Sequence, residues 1–72
     1  MTPEHMRHAL ATARTCCELV TAAAEAVALE RELTHGPDSH VRALFDVARV
    51  AREQRHALRA ILEHLEGEGE DA

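Results

Sequence analysis

The sequence His35-Gly36-Pro37-Asp38 is the one interruption between two long alanine-rich stretches, and it decides the fold. Glycine commonly ends a helix, whereas proline cannot continue a helix but suits the start of the next one. The connection is so short that the second helix should return antiparallel to the first. The chain is therefore predicted to be all-α, an antiparallel hairpin of two long helices.

Signals at the ends of the two stretches set the expected boundaries. Thr2 is a good N-cap and Pro3 suits the first helical position. The final residues are rich in glycine and acids, a composition typical of a frayed terminus. The hairpin is predicted over 3–66, with helix 1 over about 3–34, a turn over 35–38, helix 2 over about 38–66, and an acidic disordered tail over 67–72.

Both helices carry apolar residues at alternating spacings of three and four, which is typical of a heptad seam. The apolar arc of helix 1 is wide enough to contact two neighbours, as inside a bundle. The predicted interface consists of Met6, Leu10, Ala13, Val20, Ala24, Val27, Val41, Leu44, Phe45, Ala48, Leu58, Ile61, Leu62 and Leu65.

The size and composition of the chain predict that one hairpin is not enough. Its 72 residues are near the lower limit for a self-sufficient core, and Phe45 is the one aromatic residue. Apolar burial in an alanine-rich hairpin should roughly equal the entropy cost of ordering the chain. We therefore expect self-association, most simply two hairpins forming a four-helix bundle.

Charge and hydropathy patterns exclude several classes of partner. The net charge is −5, and the excess of acids lies beyond Leu62, where the chain is glycine- and glutamate-rich. The arginines alternate with acids and no stacking aromatics accompany them, so nucleic-acid binding is not expected. No stretch approaches the ~18 apolar residues of a membrane span. Two cysteines without the features of a signal peptide predict a cytoplasmic protein with free thiols and no membrane partner.

One alternative is a soft-metal site. In an antiparallel hairpin that turns near Gly36, Cys17 should lie level with His56. Cys16 and Cys17 flank the centre of the helix 1 apolar stripe, and adjacent helical cysteines cannot bridge each other without severe strain. Thiolates shared across a dimer, completed by His56, would suit Zn or Cu(I).

A second alternative uses carboxylates. Glu18 on helix 1 and Glu53-x-x-His56 on helix 2 resemble half of the di-iron site of ferritin-like bundles, which implies Fe as the metal. Glu18 and Glu53 each project more than about 100° from the centre of their own apolar stripe. They could therefore share a metal only across a second interface that joins the polar faces.

The sequence contains no nucleophile elbow, phosphate-cradling glycine loop or other catalytic constellation. The leading hypothesis is a small non-enzymatic assembly module that binds copies of itself or another protein, with no cofactor expected. The alternatives are a metal-binding bundle that holds Zn, Cu(I) or Fe, and a regulatory helical protein that docks on a larger partner.

Overall fold

The computed structural model describes the backbone of residues 2–71 and the side chains of residues 2–67. It contains two helices, α1 at Pro3–His35 and α2 at Ser39–Asp71, which pack against each other. The Cα atoms span 55 × 15 × 14 Å, so the molecule is one narrow layer. The prediction of an all-α hairpin of two long helices is confirmed.

Local signals at both ends of α1 explain its limits. The Thr2 hydroxyl accepts a hydrogen bond from the His5 amide at 3.2 Å, which satisfies one of the unpaired donors of the first turn. At the other end Gly36 adopts φ 79°, and its amide donates to the Glu32 carbonyl at 2.9 Å. Only glycine adopts this backbone conformation without strain, so Gly36 fixes the corner.

Asp38 connects the turn to both helices. One carboxylate oxygen accepts from the Val41 amide at 2.9 Å, which caps α2, and the other accepts from Arg31 Nε at 3.0 Å. Arg31 Nη2 also lies 3.2 Å from His40 Nδ1. The hydrogen bond from the Val41 amide, followed by that from Arg31, lowers the pKa of Asp38 below 3.8.

This cap gives a testable pH dependence. Because the pKa of Asp38 is lowered on folding, its stabilising contribution is present above pH 3.8 and is lost as the pH falls through the lowered value. We expect Asp38→Ala to lower the melting temperature at pH 7, and the difference from the wild type to shrink below pH 3.8. Thermal melts followed by circular dichroism measure both effects.

Asp46→Ala is the matched control, because Asp46 is exposed. Its carboxylate makes a long ion pair, 3.7 Å, with Arg49 one turn along the same helix. Such surface pairs contribute about 0–1 kcal/mol. This variant should melt within a few degrees of the wild type, and its small difference should be well below that of Asp38→Ala. Equal melting temperatures for Asp38→Ala and the wild type at pH 7 would contradict the capping role.

The seam between the helices is built from small residues of α1 and from both alanines and larger apolar residues of α2. Each helix contributes positions spaced alternately by three and four, the heptad pattern. On α2 the buried or half-buried positions include Val41, Leu44, Leu58 and Leu62, as predicted. Among the side chains of residues 2–67, the fully or nearly buried ones are Ala24, Ala28, Val41, Ala48, Ala51 and Leu62.

On α1 the seam is rotated from the predicted position. It runs through Cys17, Thr21, Ala24 and Ala28, whereas Val20 and Val27 remain 44% and 51% exposed. Projection at 100° per residue places the seam about 40° from the centre of the predicted stripe. The reason is steric, since small residues on α1 allow the branched residues of α2 to approach its backbone.

The helix boundaries also differ slightly from expectation. Helix α1 ends at His35, one residue after Thr34, and α2 continues past Glu66 to Asp71. The acidic tail was predicted over 67–72. The side chains of 68–72 lie outside the described residues, and the disorder of the tail stays a prediction.

Candidate assembly surface

The two sides of the hairpin that flank the seam differ in character. On one side, called the charged side, Glu18 Oε1 lies 3.8 Å from Arg55 Nη1, and Glu25 pairs with Arg52. These pairs connect α1 to α2 at the register expected from the turn. Their side chains are each at least one-third exposed, so these ion pairs contribute little to stability. Their charges keep this side of the hairpin hydrated.

The opposite side, called the apolar side, is almost free of charge. Helical projection places one row from each helix there, about 90° from the seam. A groove of about 370 Å³ runs between the helices at mid-length, between Val20 on α1 and Val47 and Val50 on α2. Its one uncharged polar lining residue is Gln54, and Asp46 lies at its rim. The apolar side consists of Ala9, Ala13, Cys16, Val20, Ala23 and Val27 from α1, and Ala43, Val47, Val50, Gln54, Ala57 and Ile61 from α2.

The predicted interface residues divide between the seam and the surface. Ala24, Val41, Ala48 and Leu62 are buried in the seam. Leu10, Ala13, Leu44, Leu58 and Leu65 are half-buried. Met6, Val20, Val27, Phe45 and Ile61 are exposed in the single hairpin. The surface set shows that one hairpin does not cover the apolar residues that the heptad pattern identifies.

Two important positions escaped the sequence prediction. Ala28 is completely buried, and Val50 lines the groove of the apolar side. Ala28 could have been found from its spacing of four from Ala24, but alanine gives no hydropathy contrast in an alanine-rich helix. Val50 lies about 120° from the α2 seam, outside any single heptad stripe.

The candidate metal ligands are distributed over several surfaces. Cys16 is exposed on the apolar side, whereas Cys17 is half-buried in the seam. Glu18 is paired with Arg55 on the charged side, and Glu53 lies 3.4 Å from Arg49 on the outer surface of α2. His56 is exposed. Within the described residues, no group of three or more Cys, His, Asp or Glu side chains is placed to hold a metal ion.

A second apolar row lies on the outer surface of α1, away from α2. Leu19 is 65% exposed, Leu29 is 53% exposed and Leu33 is 87% exposed. With Ala22 and Ala26 they form a row with alternating spacings of three and four. We call these five residues the leucine strip.

No protein-family model, curated protein or solved structure matches this chain. In the part of the chain described, neither helix is long and apolar enough to cross a membrane. The apolar side and the leucine strip are the two surfaces that need a functional explanation.

Proposed function

We propose that this protein is a non-enzymatic assembly module in which two copies pair through their apolar sides to form a four-helix bundle. The observation that carries the proposal is the contrast between the seam and the apolar side. Among the residues whose side chains are described, four of the six buried ones are alanines, and the two larger ones, Val41 and Leu62, each keep 5% of their surface exposed. The larger residues Val20, Val27, Val47 and Ile61 remain about half exposed on one continuous surface.

The surface area of the single hairpin supports pairing. Its accessible surface is 5408 Å². A compact monomer of 7.9 kDa should expose about 4,400 Å². The excess of roughly 1,000 Å² is close to the approximately 800 Å² that each partner buries in a standard interface. A second copy on the apolar side would therefore bring the exposed area of each chain to an ordinary value.

The charge distribution favours a second copy as the occupant. In a twofold-symmetric pair the same patch meets itself, so any charge on it would face a like charge. The two rows of the apolar side limit this conflict, because they contain only one polar residue, Gln54, and no ionisable group except the Cys16 thiol. The one carboxylate that also lines the groove, Asp46, lies 3.7 Å from Arg49 of its own helix. The ion pairs of the charged side would remain in water on the outside of the bundle.

The oligomeric state tests the proposal directly. We expect light scattering and sedimentation at about 10 µM to give twice the mass of the 7.9 kDa chain. Dilution should lower the mass and the helical circular dichroism together, because the hairpin alone is near the lower limit of stability. A monomer that keeps full helicity and melts cooperatively at this concentration would overturn the proposal.

Cys16 provides a second, local measurement. It lies on the apolar side, so a dimer should shield it from a maleimide reagent while the monomer leaves it exposed. In Cys17→Ser, where Cys16 is the remaining thiol, labelling should become faster on dilution. A labelling rate that does not depend on protein concentration would place the interface elsewhere.

We place this module in the cytoplasm, as the sequence predicts. The support is the pair of free thiols, Cys16 and Cys17. An exposed thiol on an apolar surface would be prone to oxidation in an oxidising compartment, whereas a reducing one keeps it available for packing.

A further inference from the structure

The leucine strip is a heptad seam without a partner. Leu19, Ala26 and Leu33 occupy one seam position, and Ala22 and Leu29 occupy the other. The strip is about 21 Å long at 1.5 Å per residue. It points away from α2, and its centre lies about 120° around α1 from the centre of the apolar side, although Leu19 and Ala23 at the adjoining edges are only about 40° apart. Pairing through the apolar side would therefore leave most of the strip open.

The residues that flank the strip are acidic. Glu18, Glu25 and Glu32 follow one edge, and Glu30 lies on the other. No lysine or arginine of α1 lies along either edge between Glu18 and Leu33. Glu18 and Glu25 already bind arginines of α2, but no ion pair forms at Glu30 or Glu32 among the described residues. The turn end of the strip therefore carries two carboxylates that lie outside any ion pair within residues 2–67, although Arg31 lines a surface hollow with Glu30, and Arg42 lines one with Glu32.

This charge pattern selects the kind of helix that can cover the strip. In a coiled coil the residues that flank the seam face those of the partner and determine pairing. In a parallel pair of strips from two copies, Glu25 would face Glu30 of the second copy. In an antiparallel pair, glutamates would face glutamates. A second copy is therefore disfavoured in both orientations, because like charges across a seam destabilise it.

We propose that the leucine strip is a docking site for a basic amphipathic helix of a different protein, with leucine-type residues on its seam and lysine or arginine on its flanks. The leucines would supply the buried apolar area. Glu30 and Glu32 would select for positive flanks and against acidic ones. The module would then present this site on the outside of its bundle. The proposal does not depend on the apolar side being the assembly surface.

The probe is a synthetic helix of about 21 residues, three heptads, with leucine at both seam positions and lysine at both flanking positions. A matched peptide carries glutamate in place of lysine. In fluorescence anisotropy with the full chain, we expect the lysine peptide to bind at least about tenfold more tightly, with an advantage that decreases at high salt. The proposal would be overturned if the lysine peptide did not bind at a concentration of about 100 µM. It would also be overturned if both peptides bound equally tightly.

Charge reversal gives the sharpest test. In Glu30→Lys/Glu32→Lys the preference should invert, so that the glutamate peptide binds more tightly. Both positions are in the last turns of α1, where lysine is favoured by the helix dipole, so the variant should fold. An unchanged preference would show that these glutamates do not select the partner.

Two further variants locate the binding surface. Leu19→Gln/Leu29→Gln keeps good helix formers at both positions, so α1 should still form. The affinity for the lysine peptide should fall at least about tenfold, because apolar contact area is lost. Ala60→Gln, at an exposed position on the outer surface of α2 opposite the seam, should leave binding unchanged. Binding that is weakened by Ala60→Gln and not by the double leucine variant would assign the peptide to another surface and overturn the proposal. The proposed function is tested separately by the mass of the protein without peptide, so either proposal can fail alone.

Discussion

Val20→Asp should abolish assembly. Val20 forms one wall of the groove on the apolar side, and a twofold pair would bury two copies of the introduced carboxylate at an interface with no cation. Burying an unpaired charge costs several kcal/mol, so the dimer should weaken by a factor of about a thousand or more. We expect the variant to sediment as a monomer at about 10 µM and to lose helical circular dichroism at the same time.

Ala60→Asp is the control for this experiment. Ala60 is exposed, and projection places it on the outer surface of α2, opposite the seam. The change introduces the same residue into the interior of a helix, and its cost in helix propensity is the larger of the two, because alanine is the strongest helix former whereas valine and aspartate rank together. Ala60→Asp should remain a dimer. If Val20→Asp and Ala60→Asp sediment alike, the apolar side is not the assembly surface.

Ala28→Leu should be the most damaging apolar substitution in α1. Ala28 has no exposed surface and faces α2 in the seam, so a larger side chain must push the helices apart. Overpacking of this kind costs about 1–3 kcal/mol. For a domain of this size, the melting temperature should fall by about 5–20 °C. Thermal melts at equal protein concentration measure the change.

Ala26→Leu is the matched control, since it makes the same substitution two residues earlier, at an exposed position of the leucine strip. Leucine and alanine are both strong helix formers, so the melting temperature should change little. If Ala26→Leu lowered the melting temperature more than Ala28→Leu, α1 would have to be rotated differently about its axis. The same Ala26→Leu variant should bind the lysine peptide more tightly, because the substitution enlarges the apolar docking surface.

The sequence was sufficient for the hairpin because its signals are local. Gly36 and Pro37 act on their own backbone, and Thr2 caps α1 through a hydrogen bond to the nearby His5 amide. The antiparallel register followed from the short turn, and the Glu18–Arg55 contact agrees with it. The α2 seam was also predictable, since Val41, Leu58 and Leu62 contrast with charged neighbours.

The candidate site was predictable only in part. Val20, Val27 and Ile61 were identified as interface residues from their spacing. The continuity of the apolar side could not be predicted from spacing, because this surface joins one row of α1 to one row of α2. Val50, which belongs to it, lies far from the α2 seam. The proposed ligand sets do not meet within one hairpin for the same reason: Cys16, Cys17 and Glu18 are adjacent in sequence but lie on different surfaces around α1. Metal binding between copies stays a prediction.

The sequence by itself determined two helices, their antiparallel arrangement and the residues of the α2 seam. Only the tertiary structure decided which stripe of α1 faces α2, and with it which residues remain outside. Hydropathy favoured the stripe with Val20 and Val27, since valine is more apolar than alanine. Packing kept the predicted Ala24 but replaced the valines by Ala28, because the fit between two helices depends on the volumes of both partners, and one helix's periodicity contains no information about the volumes on the other.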